Sequence, residues 1–527
     1  MSKQSFLKGA FILVSASLIT RVMGFVYKIA LTRLIGAEGI GLFQMIFPLI
    51  SLVLTVVTAG LPVAISKVVA EAMVAGDRRR IRRVIMSSFA IIGIFSILGS
   101  VLLVFLSPWI TKTYLTDSRA YYSLIAIIPV IPIIGLSSIL SGYFKGLQNM
   151  SPPAVASILE TAVRIASVWV LAHYFRKFGL AYAAAAAAIG MVLGELMSLL
   201  YMWLYYLTRQ RIQSLPMGPA NQLEPLRKTI KSILEVAIPV TCNRIIGTVA
   251  YAIEPMLISR SLQTAGFTTV MATTLYGQYS GMAIPLLVFP TVFTYSLAVT
   301  LVPSISEAIA EGKIRLVRRR LYQTFRITAL IGFPTSVVLT VYATQLCTMV
   351  FHAPEVGPIL TIMAPVGFLL YLQSPLYGIL QGLNRAGLAM VNGLVGSAAK
   401  LLIIYFLASQ PKYGILGVAW ALVADVAITT GLNFFSVNKM IGFEIDPFDT
   451  AKIILATILM ATVMKQITGD SSIDVPNHTV IFSIFIGFSS YFFLLLMFGV
   501  ITRNMLRKIP RIGHFLVGIS RFVPFSK

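Results

Sequence analysis

Blocks of twenty or more apolar residues, separated by short stretches that hold most of the charge, run the length of this 527-residue chain. About 20 helical residues are needed to cross ~30 Å of hydrocarbon. The blocks therefore predict membrane-spanning helices over residues 10–33, 40–62, 84–106, 119–143, 153–173, 180–206, 232–259, 271–300, 322–344, 356–381, 388–408, 414–436, 449–466 and 479–501. The expected fold class is an all-α membrane protein of about fourteen transmembrane helices. The longest interruption, 207–231, contains Leu215-Pro216-Met217-Gly218-Pro219 and reads as a linker between two halves. Lys3 and Lys8 precede the first block as in a signal peptide, but Arg21 interrupts it and no small-x-small cleavage site follows. That block reads as a retained helix.

Composition agrees with the pattern. Hydrophobic residues make up 57% of the chain and charged residues 11%, with a mean hydropathy of +0.87, against roughly 25% charged in soluble domains. The net charge of +24 would point to nucleic acid in a soluble protein. Here the basic residues sit in short loops, where they set topology. With the N-terminus in the cytoplasm, 28 of the 42 Lys and Arg fall inside, 8 outside and 6 within helices. This predicts an N-in, C-in protein of the cell membrane and excludes nucleic acid as a partner.

The halves repeat. At an offset of 236 residues, Glu71-Ala72 matches Glu307-Ala308, Arg82-Arg83 matches Arg318-Arg319, and Gly142-x-x-x-Gly146-Leu147 matches Gly378-x-x-x-Gly382-Leu383. Arg164 matches Lys400 in the same register, and Arg21-x-x-Gly24 matches Arg244-x-x-Gly247 at an offset of 223. Six helices per copy is an even number, so both copies enter from one side as a parallel repeat. The expected organisation is an N-lobe over 1–206, a cytoplasmic linker over 207–231 and a C-lobe over 232–440. Two further helices follow over 441–502, then a basic amphipathic tail over 503–527 suited to anionic lipids.

Six cations lie inside predicted helices: Arg21, Lys28, Arg164, Arg244, Arg326 and Lys400. Each costs at least ~2.5 kcal/mol at a helix centre unless it faces protein or water. Arg21 and Lys28 share one face of the first helix, and Arg244 is the repeat partner of Arg21, so these three are the candidate anion site. Arg164 and Lys400 are secondary candidates. Arg164 has Glu160 at i,i+4 as a local partner, and Arg326 reads as an anchor at a helix end. Glu254, ten residues after Arg244, is positioned either to bind a coupling ion or to balance that arginine. Cys242 and Cys347 lack metal or disulfide spacing and read as small core residues. No catalytic set, nucleotide loop, metal cluster or cofactor motif stands out, so an enzyme is not expected.

Several segments carry a family resemblance: Ile19-Thr-Arg-Val-Met-Gly-Phe-Val-Tyr27, Arg33-Leu-Ile-Gly-Ala-Glu-Gly39, Gly60-Leu-Pro-Val-Ala-Ile-Ser-Lys-Val-Val-Ala-Glu-Ala72 and Gly142-Tyr-Phe-Lys-Gly-Leu-Gln-Asn149. In these the chain resembles the stage V sporulation protein B group, within the superfamily of multidrug, oligosaccharidyl-lipid and polysaccharide exporters. The resemblance implies two six-helix lobes in a V, working by alternating access on a polyprenyl-diphosphate glycolipid, with cell-wall synthases as neighbours. It also implies that helix-1 and helix-7 arginines, here Arg21 and Arg244, hold the diphosphate. The chain departs from the lipid II flippase pattern at Tyr27, with Lys28 beside it, at Gly39, with Glu38 beside it, and at Leu52 or Val53. A lipid-linked precursor for spore cortex peptidoglycan is the expected substrate. The alternatives are a cation-coupled multidrug exporter, which would depend on Glu254, and a non-transporting scaffold for cell-wall synthesis.

Overall fold

The computed structural model describes residues 6–58, 60–208, 226–442, 446–469 and 475–501. Most of the expected linker and the whole C-terminal tail over 503–527 lie outside the described residues. Among the described residues the chain is helical, with no strand. Its long elements are α1 (Phe6–Gln44), α2 (Phe47–Val74), α3 (Arg78–Thr113), α4 (Ala120–Gly146), α5 (Ser151–Phe178) and α6 (Leu180–Thr208). They continue with α7 (Leu226–Thr264), α8 (269–310), α9 (Ile314–Val341), α10 (Pro354–Gly382), α11 (Ala386–Ala408), α12 (Gly414–Ile441), α13 (Pro447–Thr468) and α14 (Asn477–Met497). Thirteen stretches are long and apolar enough to cross a membrane, and α7, bent by 40° between Cys242 and Gly247, makes a fourteenth.

The helices run beyond their apolar blocks. Arg78 to Arg83 fall inside the first turns of α3, capped by the Asp77 carboxylate, which accepts from the Arg80 backbone N–H at 2.9 Å. The second block is interrupted by Gly60, whose φ of 64° is open to glycine at little cost. The eighth block is segmented: Thr269–Gly277, a π-helical stretch Gln278–Ala283, Ile284–Val288 and Thr291–Ala310.

The chain divides into two compact units. The first comprises Met1–Met282 with Ile404–Gly414, the second Ala283–Ile403 with Ile415–Lys527. Two of the three internal boundaries fall at π-helical turns, Gln278–Ala283 and Ile404–Ala408, and the third at the start of α12.

In the first unit a core of Leu61, Ile65, Val69, Ile81, Ile85, Leu140, Tyr143 and Ile233 joins α2, α3, α4 and α7. The glycine pair of α4 permits this packing. A Cβ on Gly142 would meet the Pro62 carbonyl at 2.7 Å, and one on Gly146 would meet the Ser66 carbonyl and Val69 at 2.8 Å. Small residues let membrane helices approach this closely.

The second unit repeats that contact in register. A Cβ on Gly378 would meet Ala298, and one on Gly382 would meet Val302 and Ile305. Ala298, Val302 and Ile305 stand 236 residues beyond Pro62, Ser66 and Val69, so the repeat extends to the packing of individual side chains. A further cluster seats α13 and α14 on α9, where the Tyr342 hydroxyl lies 2.6 Å from Ser483 Oγ and donates to the Met464 carbonyl at 3.0 Å. Arg326, expected as an anchor, pairs with Asp449 at 3.1 Å and so pins α9 to α13.

Candidate functional site

The polar interior of the first unit is built from α1, α4, α5 and α6. They enclose a cavity of about 330 Å³ whose wall carries Ser17, Ser137, Ser141, Lys145, Glu160 and Glu195. Arg21 lies one turn beyond Ser17 on α1 and is half-buried. Lys28 is also half-buried, and its carbonyl accepts from Thr32 Oγ1 at 2.7 Å. Between them, Tyr27 is buried and lies in the field of Arg164 on α5. Its hydroxyl has no hydrogen-bond partner among the described residues. Tyr27 therefore turns into the helix bundle.

Arg244 is exposed and sits in the break at which α7 bends. Its charge acts on Lys145 of α4. Sequence reasoning assigned Lys145 to a cytoplasmic loop, because Gly142-Tyr-Phe-Lys-Gly looks like the end of a helix. The residue is helical and lines the cavity. Among the described residues neither Lys145, Arg244 nor Lys28 has a carboxylate partner within ion-pair distance.

The secondary candidates are neutralised by acids. Arg164 bonds Glu160 in the i,i+4 pair expected from sequence, and its Nη2 also lies 3.6 Å from Glu195 Oε1 of α6. Lys400 Nζ of α11 lies 3.6 Å from Asp425 Oδ2 of α12, which accepts through Oδ1 from Thr429 at 3.1 Å. Each pair clamps the fifth helix of its repeat to the sixth. Glu254 is buried and accepts a hydrogen bond from the Tyr279 hydroxyl at 3.3 Å; its charge also acts on Tyr276. Cys347 is buried as expected, whereas Cys242 is exposed on α7.

A second network joins α1, the turn between α3 and α4, and α8. Arg119 grips Asp117 with its backbone N–H at 3.0 Å, Nε at 3.1 Å and Nη2 at 2.8 Å, and also bonds Glu38. Thr273 Oγ1 donates to Asp117 Oδ2 at 2.9 Å. Around it the helices touch backbone to backbone, since a Cβ on Gly41 would strike the Thr273 carbonyl. Burial works to raise the Asp117 pKa. The bonds from Arg119 and Thr273 overcome it and hold the carboxyl below the usual range. A depressed carboxylate contributes stability above its unfolded pKa of about 3.9 and loses it as pH falls through the folded value. Asp117→Asn is expected to lower the melting temperature at pH 7. Bonds to a charged group are worth about 1.5–3 kcal/mol, and the deficit should shrink in melts taken below about pH 3.9. A deficit that is the same across that range would mean the charge is not what Asp117 contributes.

Long apolar helices around a polar interior fit a multi-pass membrane transporter. Residues 6–309 match the family model described as polysaccharide biosynthesis protein, and residues 255–406 match the MatE model. The chain is 38% identical over 523 residues to stage V sporulation protein B of Bacillus subtilis (strain 168), covering 98% of this chain and 100% of that protein. The lipid II flippase MurJ of the same organism is 24% identical over 88% of this chain and 87% of its own. Among solved structures, the inward closed conformation of a lipid II flippase MurJ superposes with a TM-score of 0.68 at 15% identity, over 92% of this chain and 98% of that one. The chain belongs to the polysaccharide biosynthesis protein family.

Proposed function

We propose that this chain is a flippase carrying a polyprenyl-diphosphate-linked cell-wall precursor, of the lipid II kind and serving the spore cortex, from the inner to the outer leaflet. The observation that carries this reading is Lys145 in the wall of the first unit's cavity and Arg244 in the break of α7, two exposed cations without a carboxylate partner within ion-pair distance among the described residues. Like charges repel, and an anion between them removes that cost. A diphosphate has the charge and the acceptor oxygens for both, with Arg21 and Lys28 as further donors. The names of the relatives, a sporulation protein and a lipid II flippase, agree with that ligand.

In this reading the N-terminus is cytoplasmic and the lipid tail stays in the bilayer while the headgroup enters. The N-lobe, linker and C-lobe of the repeat move as alternating-access bodies. An inside-negative potential favours outward movement of the anion by about 2.3 kcal/mol per charge per 100 mV.

The test is flipping of a fluorescent polyprenyl-diphosphate sugar by the full chain in proteoliposomes, read with an impermeant quencher. Flipping is expected, and faster when the side bearing the N-terminus is negative. If the lipid stays put under every gradient while a cationic drug moves against a proton or Na⁺ gradient, the reading falls. A cation-coupled multidrug exporter using Glu254 then takes its place, in keeping with the MatE match over 255–406.

A further inference from the structure

The second unit contains a cavity of about 500 Å³ walled by α8, α10, α11 and α12, within the ~300–1,000 Å³ range of small-molecule sites. It occupies the same place in its repeat as the charged cavity of the first unit. At the offset of 236, Ser137, Ser141 and Lys145 on the first wall correspond to Gln373, Tyr377 and Gln381 on the second. The backbone frame is shared, as the glycine contacts of α4 and α10 show. The chemistry is not. None of the thirteen residues lining the second cavity is charged.

The neutral cavity offers two rings and a set of two-way hydrogen-bonding groups. Tyr295 and Tyr377 are 39% and 48% exposed. Gln373, Gln381 and Asn433 present amides, which both donate and accept. Asn433 is held in place by Asn392, whose Nδ2 donates to its Oδ1 at 2.9 Å and to Ser436 Oγ at 3.1 Å. Unfixed amides bind weakly because ordering them costs entropy, and a braced one avoids part of that loss. An anion finds no cation here. An alkyl chain would leave the amides without partners at a cost of about 1–3 kcal/mol each. A sugar satisfies both demands, with a C–H face for a tyrosine ring and hydroxyls that donate and accept around its edge.

We propose that this cavity of the second unit is a carbohydrate subsite, taking the neutral sugar of the lipid-linked substrate. The proposal rests on the flippase reading and goes beyond it by giving the sugar a cavity of its own.

The experiment compares two probes on the full chain in nanodiscs: a polyprenyl diphosphate bearing an N-acetylhexosamine disaccharide, and the bare polyprenyl diphosphate. The variants are Tyr377→Ala and Gln381→Ala, both at exposed positions, with Tyr377→Phe as the conservative control and melting curves for all. Wild type should bind both probes. Each alanine variant should weaken the sugar-bearing lipid about tenfold and the bare lipid by less than about twofold, with Tyr377→Phe close to wild type. If the two probes weaken equally, or neither changes, the subsite is overturned and the flippase reading stands. If wild type binds neither probe, the flippase reading fails and takes the subsite with it.

Discussion

Arg244→Ala and Arg21→Ala are each expected to slow flipping of the diphosphate lipid by about tenfold to a hundredfold, the loss of one or two charge-assisted hydrogen bonds of about 1.5–3 kcal/mol. Lys145→Ala should fall in the same range, because its ammonium shares the field of Arg244. Lys28→Ala should cost less, since a single point charge at the far end of the α1 face has fewer bonds to lose. Arg244→Lys should recover part of the rate only: a lysine restores the charge but not the planar fork that grips two oxygens of one phosphate. Arg244 is exposed, so its replacement leaves the fold intact. The rates are read by the quencher assay, with the melting temperature as the folding control. If the Lys145→Ala, Arg244→Ala double variant flips at the wild-type rate, the diphosphate is not held at this cluster.

The salt dependence of the same assay has a definite sign. Lys145 and Arg244 are exposed, so added salt should screen the encounter. The paired cations Arg164 and Lys400, each already against a carboxylate, should contribute nothing to it.

Much of the fold was legible because the membrane imposes a simple rule. Every spanning segment must satisfy its own backbone, so an apolar block of the right length is a helix. The fourteen blocks correspond one to one with α1 to α14. What periodicity could not reveal is where a helix breaks without changing composition. The bend of α7 around Arg244 and the π-helical turn of α8 at Gln278–Ala283 lie inside blocks whose few polar residues give no sign of a break. Gly36 and Gly60, with φ of 69° and 64°, were visible as glycines but not as left-handed ones.

The candidate site was legible in part. The same-face spacing of Arg21 and Lys28 and the i,i+4 pair Glu160–Arg164 follow from helix geometry alone. The pairing of Glu195 with Arg164 and of Asp425 with Lys400 was not legible, because each acid stands on a different helix from its cation. Symmetry was sought by matching position with position, and Asp425 aligns near Gly190 rather than with an acid. The two repeats neutralise their cations from different turns of the sixth helix. Where α5 carries Glu160, α11 carries Gly396, and a Cβ there would lie 2.5 Å from Asp425 Oδ1. The acid is thus supplied from α5 itself and from α6 in the first unit, and from α12 alone in the second. Lys145 was missed because a lysine at a helix end is ordinarily a solvated one. Its recognition required knowing that the last turn of α4 lines the cavity.

That difference between the repeats sets the largest stability effect expected. Arg164→Leu leaves two carboxylates, Glu160 and Glu195, facing one another with side chains 19% and 14% exposed. Removing one partner of a buried pair costs about 3–5 kcal/mol because a charge is stranded, and here Glu160 is stranded beside a second acid, Glu195 of the adjacent helix. Lys400→Leu strands only Asp425, which retains its bond from Thr429, so the smaller loss belongs to the second unit. The destabilisation should be relieved by removing the acids as well. Arg164→Leu with Glu160→Gln and Glu195→Gln should recover most of the melting temperature, since neutral side chains in place of a buried ion pair are often nearly neutral in stability. Melts of wild type, both single variants and the triple variant at pH 7 decide the matter. A triple variant no more stable than Arg164→Leu alone would show that the arginine matters for its packing between α5 and α6 rather than for its charge. An Arg164→Leu melt equal to wild type would mean that the clamp contributes nothing to holding the first unit together.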